Sequence, residues 1–233
     1  VILADSKATR DDIVRHFGTD PAKIWVVYAA TDQSMRPLDP DAVAAFREQK
    51  GLPEEFILYL GTLEPRKNVD VLARAFGRLR RSGYDGGLVL AGGPGWGDGA
   101  IERAVADEGL DDAVHFAGFV PGEEQALWYN SAQVFVYPSA YEGFGLPVLE
   151  AMACGTPVVT SNASSLPEVA GDAGVLTTPG DGAELADALK GLVGSAERRA
   201  DLRELGLAQA KKFSWDVAAE RCRDAYLLAA GHA

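Results

Sequence analysis

Eight short apolar runs constrain most strongly what this chain can fold into. Their apolar residues are continuous rather than alternating with polar ones, which indicates strands buried on both faces and hence a parallel sheet. Segments with a helical pattern separate most of them, and this alternation predicts an α/β fold with a doubly wound, Rossmann-like parallel sheet. The strands are predicted at residues 1–5, 24–28, 56–61, 87–92, 113–118, 134–138, 157–161 and 173–178.

Helices are predicted between these strands and at the end of the chain. The last helix is expected to begin near Ser214 or Asp216, either of which can accept a hydrogen bond from a backbone N–H group of the first turn. The helical stretches are residues 68–82, 99–108, 122–131, 147–154 and 181–194, followed by two more helices within 196–231.

Four segments are predicted along the chain. Residues 1–35 begin with strand, helix and strand, which is too little for a domain. We therefore interpret them as the tail of a preceding α/β domain and expect the chain to be part of a longer protein. Residues 36–53 are predicted as a linker and a helix, and residues 54–213 as the main α/β domain. Residues 214–233 are predicted as a C-terminal helix that packs back toward the first segment.

The chain is acidic, with 22 basic and 34 acidic residues and a net charge of −12. Such a surface repels nucleic acid and anionic lipid, so we expect neither as a partner, and an anionic ligand would need a local cationic or dipolar site. The two cysteines, Cys154 and Cys222, are too few for a disulfide framework or a four-ligand metal site. We expect both to be inert core residues in a reducing compartment, which indicates a cytoplasmic protein.

The stretch YEGFGLPVLEAMACGTP, residues 141–157, combines two glutamates with a glycine-rich bend. It follows a predicted strand, and Pro147 takes the first turn of the next helix, where its missing N–H group costs no hydrogen bond. Ligands of open α/β sheets bind outside the carboxyl ends of strands, where this loop lies. Backbone N–H groups at the start of the helix would hold an anion such as phosphate, and Gly143 and Gly145 would allow its close approach.

Glu142 stands before this bend, and Glu150 lies about one turn into the helix, on the face toward the same cleft. A carboxylate is a strong hydrogen-bond acceptor, and a vicinal diol offers two donors side by side. A phosphate between two hydroxyl-rich groups is the chemistry of a nucleotide sugar. The alternatives are that Glu142 is a solvated loop residue and that Glu150 is a carboxylate stabilised by the helix dipole.

Two cations, Arg66 and Lys67, lie in the turn LEPRKN between a predicted strand and a helix. They would face the same edge of the cleft as the backbone N–H groups of the glycine-rich bend. Stabilisation of the charge that develops on a leaving diphosphate would then be the main catalytic effect. The alternative is a solvated turn with no role in binding.

The stretch YEGFGLPVLEAMACGTPVV resembles the E-x7-E donor motif of glycosyltransferase family 4, the retaining enzymes of the GT-B fold. The resemblance extends over nearly all of residues 1–231 and fits best the mannosyltransferase-like branch. Three further stretches resemble parts of the family: FILYLGTLEPRKNVDVLARAF at 56–76, SSLPEVAGDAGVL at 164–176 and KKFSWDVAA at 211–219.

The resemblance implies that the chain is the C-terminal, donor-binding half of a GT-B glycosyltransferase, with residues 54–213 as its nucleotide-sugar-binding domain. The implied reaction transfers a hexose, with retention, from a nucleotide-diphosphate sugar to a hydroxyl of a carbohydrate or lipid-linked acceptor. GDP-mannose is the favoured donor by resemblance to the branch, and UDP- and ADP-sugars remain open. No metal or other cofactor is implied.

The acceptor site of such an enzyme would lie on the missing N-terminal domain. We therefore expect this chain alone to bind the donor weakly and not to turn it over. Peripheral attachment to the inner membrane through that missing domain is the alternative to a purely cytoplasmic location.

The resemblance also assigns roles to side chains at matching positions. Glu142 would contact hydroxyls of the donor sugar, and Glu150 would hold the ribose diol. Lys67, with Arg66 beside it, would neutralise the diphosphate. Many family members carry arginine directly after the glycine that ends the first strand of this domain. This chain has Thr62 there, so Arg66 would supply the charge instead.

Backbone groups would complete the implied site. Gly143 would let the ligand approach the loop, and the stretch AGFVPGEE at 117–124 would hydrogen-bond the base through the backbone of Phe119 and Val120. The N–H groups that would line the sugar and phosphate belong to Phe144, Gly145 and Leu146.

Two other functions remain open. A nucleotide-sugar epimerase on the same fold would need acid–base residues in the cleft, and His115 is the candidate for that role, although a structural role in its strand is the simpler interpretation. The second is a non-catalytic module that binds a nucleotide sugar.

A weaker motif points to dinucleotide binding. Gly95, Gly97 and Ala100 fit the pattern G-x-G-x-x-A after a strand, but the acidic residue expected at the end of the next strand is absent. A nicotinamide-dependent oxidoreductase is therefore a distant alternative, and we interpret these residues as a loop at the rim of the cleft.

Metal binding has little support in the sequence. Asp39-Pro40-Asp41 is a D-x-D pattern, the metal–diphosphate motif of the other glycosyltransferase fold, but it precedes a predicted helix, where Asp39 would be an ordinary cap. The histidines are scattered without the spacing of metal ligands, at His16, His115 and His232.

Overall fold

A computed structural model of the chain describes residues 1–95 and 99–231. Within these ranges the strands form two parallel sheets, one of two strands and one of six. The strands are β1 (Ile2–Ala4), β2 (Ile24–Val26), β3 (Phe56–Leu60), β4 (Gly87–Ala91), β5 (Val114–Gly118), β6 (Val134–Tyr137), β7 (Val158–Ser161) and β8 (Gly174–Thr177).

Helices connect the strands and form the C-terminal part of the chain. Each predicted helix is present. For the helices with predicted bounds, the observed ends differ from the predicted ends by at most three residues. The helices are α1 (Lys7–Phe17), α2 (Pro40–Lys50), α3 (Val69–Arg81), α4 (Ala100–Asp107), α5 (Gln125–Ser131), α6 (Leu146–Ala153), α7 (Leu166–Ala170), α8 (Gly182–Val193), α9 (Ala196–Ala210) and α10 (Trp215–Ala229).

The order of the strands in the larger sheet, β5-β4-β3-β6-β7-β8, reverses between β3 and β6. From β3 the chain moves outward to β4 and β5, and from β6 it moves outward on the other side to β7 and β8. All neighbouring strands are parallel, so the loops after β3 and β6 leave the same edge of the sheet side by side. Ligands bind at such a reversal in open α/β sheets. The predicted doubly wound parallel sheet is confirmed.

The hydrophobic core surrounds the centre of the larger sheet. Every residue of β3, β4, β6 and β7 is buried, as expected for strands covered on both faces. The prediction of burial on both faces is wrong for β1, in which Ile2 and Leu3 are each 37% exposed, and for β5, in which His115 is exposed and Phe116 is 43% exposed. The physical reason is position, because β5 is an edge strand with a neighbour on one side alone.

The helix starts agree with the sequence signals. Ser214 Oγ accepts a hydrogen bond from the Asp216 N–H group at 3.2 Å, so Ser214 is the cap of α10. The Asp39 carboxylate accepts from the backbone N–H groups of Asp41 and Ala42, which confirms its interpretation as the cap of α2. Helix α7 was not predicted, because five residues are too few to show a helical period.

The first and last parts of the chain contact each other. Strands β1 and β2 are connected by α1 and pair in parallel, and they form a sheet separate from the larger one. The Arg221 guanidinium in α10 donates to the Val26 carbonyl oxygen at 2.8 Å, and the rings of Tyr28 and Phe213 lie 5.5 Å apart. The division into four segments stays a prediction. None of the helices in the two described ranges is long and apolar enough to cross a membrane.

Candidate functional site

The loops after β3 and β6 are joined directly. The Ala140 N–H group donates to the Arg66 carbonyl oxygen at 2.8 Å, and the Ser139 hydroxyl donates to the same oxygen at 3.3 Å. The Asn68 side-chain amide donates to the Pro138 carbonyl oxygen at 3.0 Å, while Asn68 itself has a φ of 53°. These bonds bring the turn that carries the predicted cations against the loop that carries Glu142.

A cluster of charges lies where the two loops meet. The Oε1 atom of Glu142 is 2.8 Å from Nζ of Lys67 and 3.0 Å from Nη1 of Arg66. Arg66 also pairs with Glu64 at 3.0 Å, and it donates to the carbonyl oxygen of Tyr141 at 2.8 Å. The structure therefore brings together Glu142, Lys67 and Arg66, which the resemblance assigned to the donor sugar and the diphosphate.

Burial makes this cluster unlike a solvated surface turn. Lys67 is 7% exposed, whereas the Arg66 side chain is 43% exposed. Burial by itself would raise the pKa of Glu142, but the hydrogen bond and charge of Lys67, together with the charge of Arg66, outweigh burial and hold that pKa below its ordinary value. Glu142 thus stays a carboxylate at neutral pH.

The backbone of Glu142 is held from the other side by the loop after β7. Its N–H group donates to Ser164 Oγ at 2.8 Å, and its carbonyl oxygen accepts from the hydroxyls of Ser164 at 2.6 Å and Ser165 at 3.0 Å. Ser164 has a φ of 50°, a left-handed conformation that costs energy in a residue with a Cβ atom. The fold thus keeps a strained residue at this contact.

In the glycine-rich bend, the backbone conformation requires glycine at Gly145. Gly145 has a φ of 108°, and a Cβ atom there would lie 2.8 Å from Cδ2 of Leu166. A Cβ atom on Gly143 would lie 2.8 Å from Oδ2 of Asp5. The chain then enters α6 at Leu146, one residue before Pro147.

The backbone N–H groups of this bend have no acceptor among the described residues of the protein. Within the described ranges, no hydrogen bond is donated by the backbone N–H groups of residues 143–146. The side chain of Phe144 is buried among the rings of Tyr28 and Phe213, at 6.0 and 5.7 Å, so it anchors the bend. The Leu146 side chain is 39% exposed.

Glu150 is half-buried on α6 and contacts α5. The Tyr129 hydroxyl donates to its Oε2 atom at 2.8 Å, and Tyr129 is fully buried. Burial raises the pKa of Glu150, and the hydrogen bond from Tyr129 offsets this in part. Glu150 therefore has a buried hydrogen-bond partner. The alternative in which the helix dipole alone stabilises this carboxylate does not include such a partner.

The loop predicted to contact the base has one exposed and one buried residue. Phe119 is 80% exposed and Val120 is 6% exposed. Beside this loop, a pocket of 320 Å³ opens at the carboxyl ends of β4 and β5. Its lining residues are Leu63, Leu90, Gly92, Pro94, Glu102, Phe116 and Gly118. Thr62 is exposed after β3, and its carbonyl oxygen accepts from the Tyr59 hydroxyl at 2.9 Å.

The candidate acid–base residue His115 lies away from this site. His115 lies near the amino end of β5, at a pocket shared with Gly87 and Asp111, and so on the opposite edge of the sheet from Glu142. Both cysteines are unpaired. The expected core position is confirmed for Cys154, whose thiol has a pKa raised to about 12 by burial and by the charge of Glu150. It is wrong for Cys222, which is half-buried because the outer face of α10 is exposed.

No group of three or more His, Cys, Asp or Glu side chains within 1–95 and 99–231 is arranged to hold a metal ion. Gly97, part of the weak dinucleotide pattern, and His232 lie outside the described residues.

The first segment also reaches the site. Thr9 Oγ1 donates to the Gly143 carbonyl oxygen at 3.2 Å, and the Tyr141 hydroxyl donates to Asp12 at 2.8 Å. Sequence reasoning missed these contacts, as it missed Tyr129, Ser164 and Tyr137, whose hydroxyl donates to Oε1 of Glu142 at 3.0 Å. For the tyrosines a signal existed, since a buried phenol needs a hydrogen-bond partner. For Ser164 the local sequence offers none.

Comparison with known proteins identifies the family of this chain. The family model described as "Glycosyl transferases group 1" matches residues 43–208. The chain is 37% identical to the O-antigen chain mannosyltransferase B of Escherichia coli, over 98% of this chain and 60% of that protein. It is 34% identical to D-inositol 3-phosphate glycosyltransferase 2 of Catenulispora acidiphila, over 97% of this chain and 55% of that protein. The chain thus spans less than two thirds of the length of these relatives.

A solved structure of a single domain is also similar to this chain. It is the C-terminal domain of a glycosyl transferase group 1 family protein from Francisella tularensis, with a TM-score of 0.69 and 26% identity. The match covers 77% of this chain and 95% of that domain. The chain therefore belongs to the glycosyl transferases of group 1, and its larger sheet is the Rossmann-like C-terminal domain of a GT-B glycosyltransferase.

Proposed function

We propose that the protein is a glycosyltransferase that moves a hexose from a nucleotide-diphosphate sugar to an acceptor hydroxyl, and that this chain binds the donor. The observation that carries the proposal is the ion pair of Lys67 and Glu142, at 2.8 Å, where the strand order of the sheet reverses. A cation, a carboxylate and backbone N–H groups that have no acceptor among the described residues lie together there. A diphosphate bonded to a sugar needs all three.

The diphosphate would bind to Lys67, Arg66 and the N–H groups at the start of α6. A chain with a net charge of −12 needs such a local cationic site to hold an anion. As the bond from sugar to phosphate breaks, negative charge grows on the leaving group. Preorganised cations and N–H groups stabilise that charge without reorganisation, which lowers the barrier.

The carboxylates would bind the hydroxyl-rich parts of the donor. Glu142, ionised by its two cationic neighbours, would accept from hydroxyls of the sugar. Glu150, held by Tyr129, would accept from the ribose diol. The base would lie toward the backbone of Phe119 and Val120, beside the 320 Å³ pocket. The exposed Thr62 would line the same edge.

Mannose is the favoured sugar, supported by the similarity to an O-antigen mannosyltransferase, and GDP is the favoured nucleotide. We propose transfer with retention, in which the leaving phosphate helps to deprotonate the acceptor from the same face. The acceptor would be a carbohydrate or a lipid-linked glycan that binds to parts of the protein outside this chain. The two unpaired cysteines support a cytoplasmic location.

Calorimetric titration tests the donor site. The chain and the full-length protein are titrated with GDP, UDP, ADP and their sugars, together with the variants Lys67→Ala and Glu150→Ala. Glu204→Ala is the matched control, since Glu204 is an exposed glutamate on α9. We expect GDP and GDP-mannose to bind, with weakening of at least about tenfold in the two site variants. Equal binding by Glu150→Ala, or none by the full-length protein, would refute the assignment.

Turnover tests the enzyme. The full-length protein should release GDP from GDP-mannose when methyl α-mannoside is offered as acceptor, and NMR of the product should show a retained α-linkage. A β-linkage would contradict retention, and selective binding without any turnover would favour the non-catalytic module. Because Lys67 and Arg66 take the cationic role in this proposal, EDTA should leave donor affinity unchanged.

A further inference from the structure

Two buried tyrosines lie beneath the two glutamates of the site. Tyr137 ends β6, and its hydroxyl donates to Oε1 of Glu142 at 3.0 Å. Tyr129 lies in α5, and its hydroxyl donates to Oε2 of Glu150 at 2.8 Å. Tyr137 is 1% exposed and Tyr129 is fully buried, so each hydroxyl finds its partner inside the protein.

The Tyr137 hydroxyl also contacts Lys67. The Lys67 ammonium donates to the phenolic oxygen and lies 4.7 Å from the centre of the ring. Lys67, Tyr137 and Glu142 therefore form a closed ring of three hydrogen bonds. An ammonium group has three N–H donors, and this ring takes two of them. One donor is left for a ligand, and its direction is set by the other two.

The tyrosine rings are fixed by neighbouring aromatic side chains. The Tyr137 ring is stacked between those of Tyr59, at 5.9 Å, and Phe135, at 6.0 Å. The Tyr129 ring contacts the same Phe135 edge-on at 5.2 Å. Because both rings are packed in this way, their hydroxyls are fixed points for the side chains bonded to them.

The hydroxyls also keep their protons. Burial, followed by the negative charge of Glu142, raises the pKa of Tyr137 far above its ordinary value. Burial and the charge of Glu150 do the same for Tyr129. Both phenols therefore keep their protons at neutral pH and donate hydrogen bonds to the two glutamates.

We propose that Tyr137 is a positioning residue for the transfer reaction, with Tyr129 in the equivalent role for donor binding. Tyr137 holds the Lys67 ammonium and the Glu142 carboxylate in the geometry in which one N–H group of Lys67 meets the leaving diphosphate. Tyr129 holds Glu150 toward the ribose. The inference rests on the proposed function and adds two residues to it.

The roles predict different kinetic effects. Lys67 stabilises charge that grows as the reaction proceeds, so loss of the Tyr137 hydroxyl should lower kcat more than it raises the KM for the donor. Glu150 would contact the ribose equally before and during the reaction. Loss of the Tyr129 hydroxyl should therefore raise KM and leave kcat largely unchanged.

The test compares three phenylalanine variants of the full-length protein: Tyr137→Phe, Tyr129→Phe and Tyr84→Phe. Tyr84 is the matched control, since its half-buried hydroxyl donates to Gln133 at 3.1 Å, away from the site. GDP release from GDP-mannose, with methyl α-mannoside as acceptor, gives kcat and KM. Thermal unfolding of each variant is measured alongside.

We expect Tyr137→Phe to lower kcat by about 10- to 100-fold, the effect of losing a hydrogen bond between charged groups and a buried donor. The acidic limb of this variant's pH profile of kcat/KM should move to higher pH, because a hydrogen bond that favours the carboxylate of Glu142 is lost. Tyr129→Phe should raise KM by about tenfold. Tyr84→Phe should change neither constant.

Wild-type kcat and pH profile in Tyr137→Phe would overturn the inference and leave the proposed function standing. If the activity of all three variants fell only in proportion to the fraction of unfolded protein, the inference would be overturned as well. Lack of transfer by the wild-type protein would refute the proposed function, and the inference with it.

Discussion

The Nζ atom of Lys67 and the Oε1 atom of Glu142 are 2.8 Å apart, although one follows β3 and the other follows β6. Both side chains are largely buried, at 8% and 13% exposure. The contact exists because β3 and β6 are neighbours in the sheet and the loops that follow them leave the same edge. A pair of opposite charges is thereby enclosed at the one place in the sheet where the strand order reverses.

The first prediction concerns the energy of this pair. Lys67→Met leaves Glu142 buried with Arg66 as its remaining cationic partner, so we expect the free energy of unfolding to fall by about 2 kcal/mol. Glu142→Gln should cost a similar amount, and the double variant should cost at least about 1 kcal/mol less than the sum. Urea unfolding measures all three. The exposed pair of Arg74 and Asp107 is the control, with a coupling near zero. Additive losses for Lys67 and Glu142 would show that the pair is not coupled.

The second prediction concerns Gly145. Gly145→Ala forces a side chain into a φ of 108° and places its Cβ atom 2.8 Å from Leu166. We expect a loss of about 1–3 kcal/mol in the free energy of unfolding, together with weaker donor binding. Gly122→Ala is the matched control, since a Cβ atom there meets nothing within 4 Å. If the two alanine variants proved equally stable, the bend would not require glycine.

The third prediction separates hydrogen bonding from backbone strain at Ser164. Ser164→Ala removes the hydroxyl that holds Glu142 and keeps a side chain at a φ of 50°, so it should cost about 1–2 kcal/mol. Ser164→Gly loses the same bonds but relieves the strain. It should therefore be more stable than the alanine variant by about 1 kcal/mol. Both should weaken donor binding in calorimetry. An alanine variant more stable than the glycine variant would contradict the strained conformation.

The fourth prediction concerns pH. Burial holds the pKa of Glu150 above its ordinary value of 4.5. Its stabilising contribution is therefore complete below pH 4.5 and is lost as the pH rises through the folded-state pKa, because the folded protein must then ionise a buried carboxyl group. We compare the free energy of unfolding of the wild type with that of Glu150→Gln. The difference, wild type minus variant, should fall as the pH rises through this range.

The same difference for Glu142→Gln should behave in the opposite way. The pKa of Glu142 is lowered in the folded protein, so its contribution is present above pH 4.5 and is lost as the pH falls through the folded-state pKa. Urea unfolding at a series of pH values measures both differences. Parallel curves for the two variants would contradict the opposite environments of the two glutamates.

Part of the site was visible in the sequence. The bend that carries Glu142, and the turn that carries Lys67, each stand between a buried strand and a helix, and such loops open at one edge of a parallel sheet. The resemblance added expected roles, and the family itself is confirmed. The roles of the site residues stay predictions.

Other features were not visible. The exposure of Phe116 depends on β5 lying at the edge, and the position of His115 far from Glu142 depends on which end of β5 it occupies. In the sequence, nothing distinguished Tyr137 from the other residues of the buried strand predicted at 134–138. Its role beneath Lys67 and Glu142 depends on a loop that follows a different strand.

By itself, the sequence determined the alternation of strands and helices, the cap at Asp39, the start of the last helix near Ser214 or Asp216, and the place of the glycine-rich bend. These features depend on local patterns of polarity, hydrogen-bonding side chains and backbone freedom, which are read from neighbouring residues. Only the tertiary structure decided that Tyr137 joins Lys67 to Glu142 and that Ser164 holds the same glutamate from the other side. Those contacts follow from the order of the strands, and that order is set by the packing of the whole sheet rather than by any one segment.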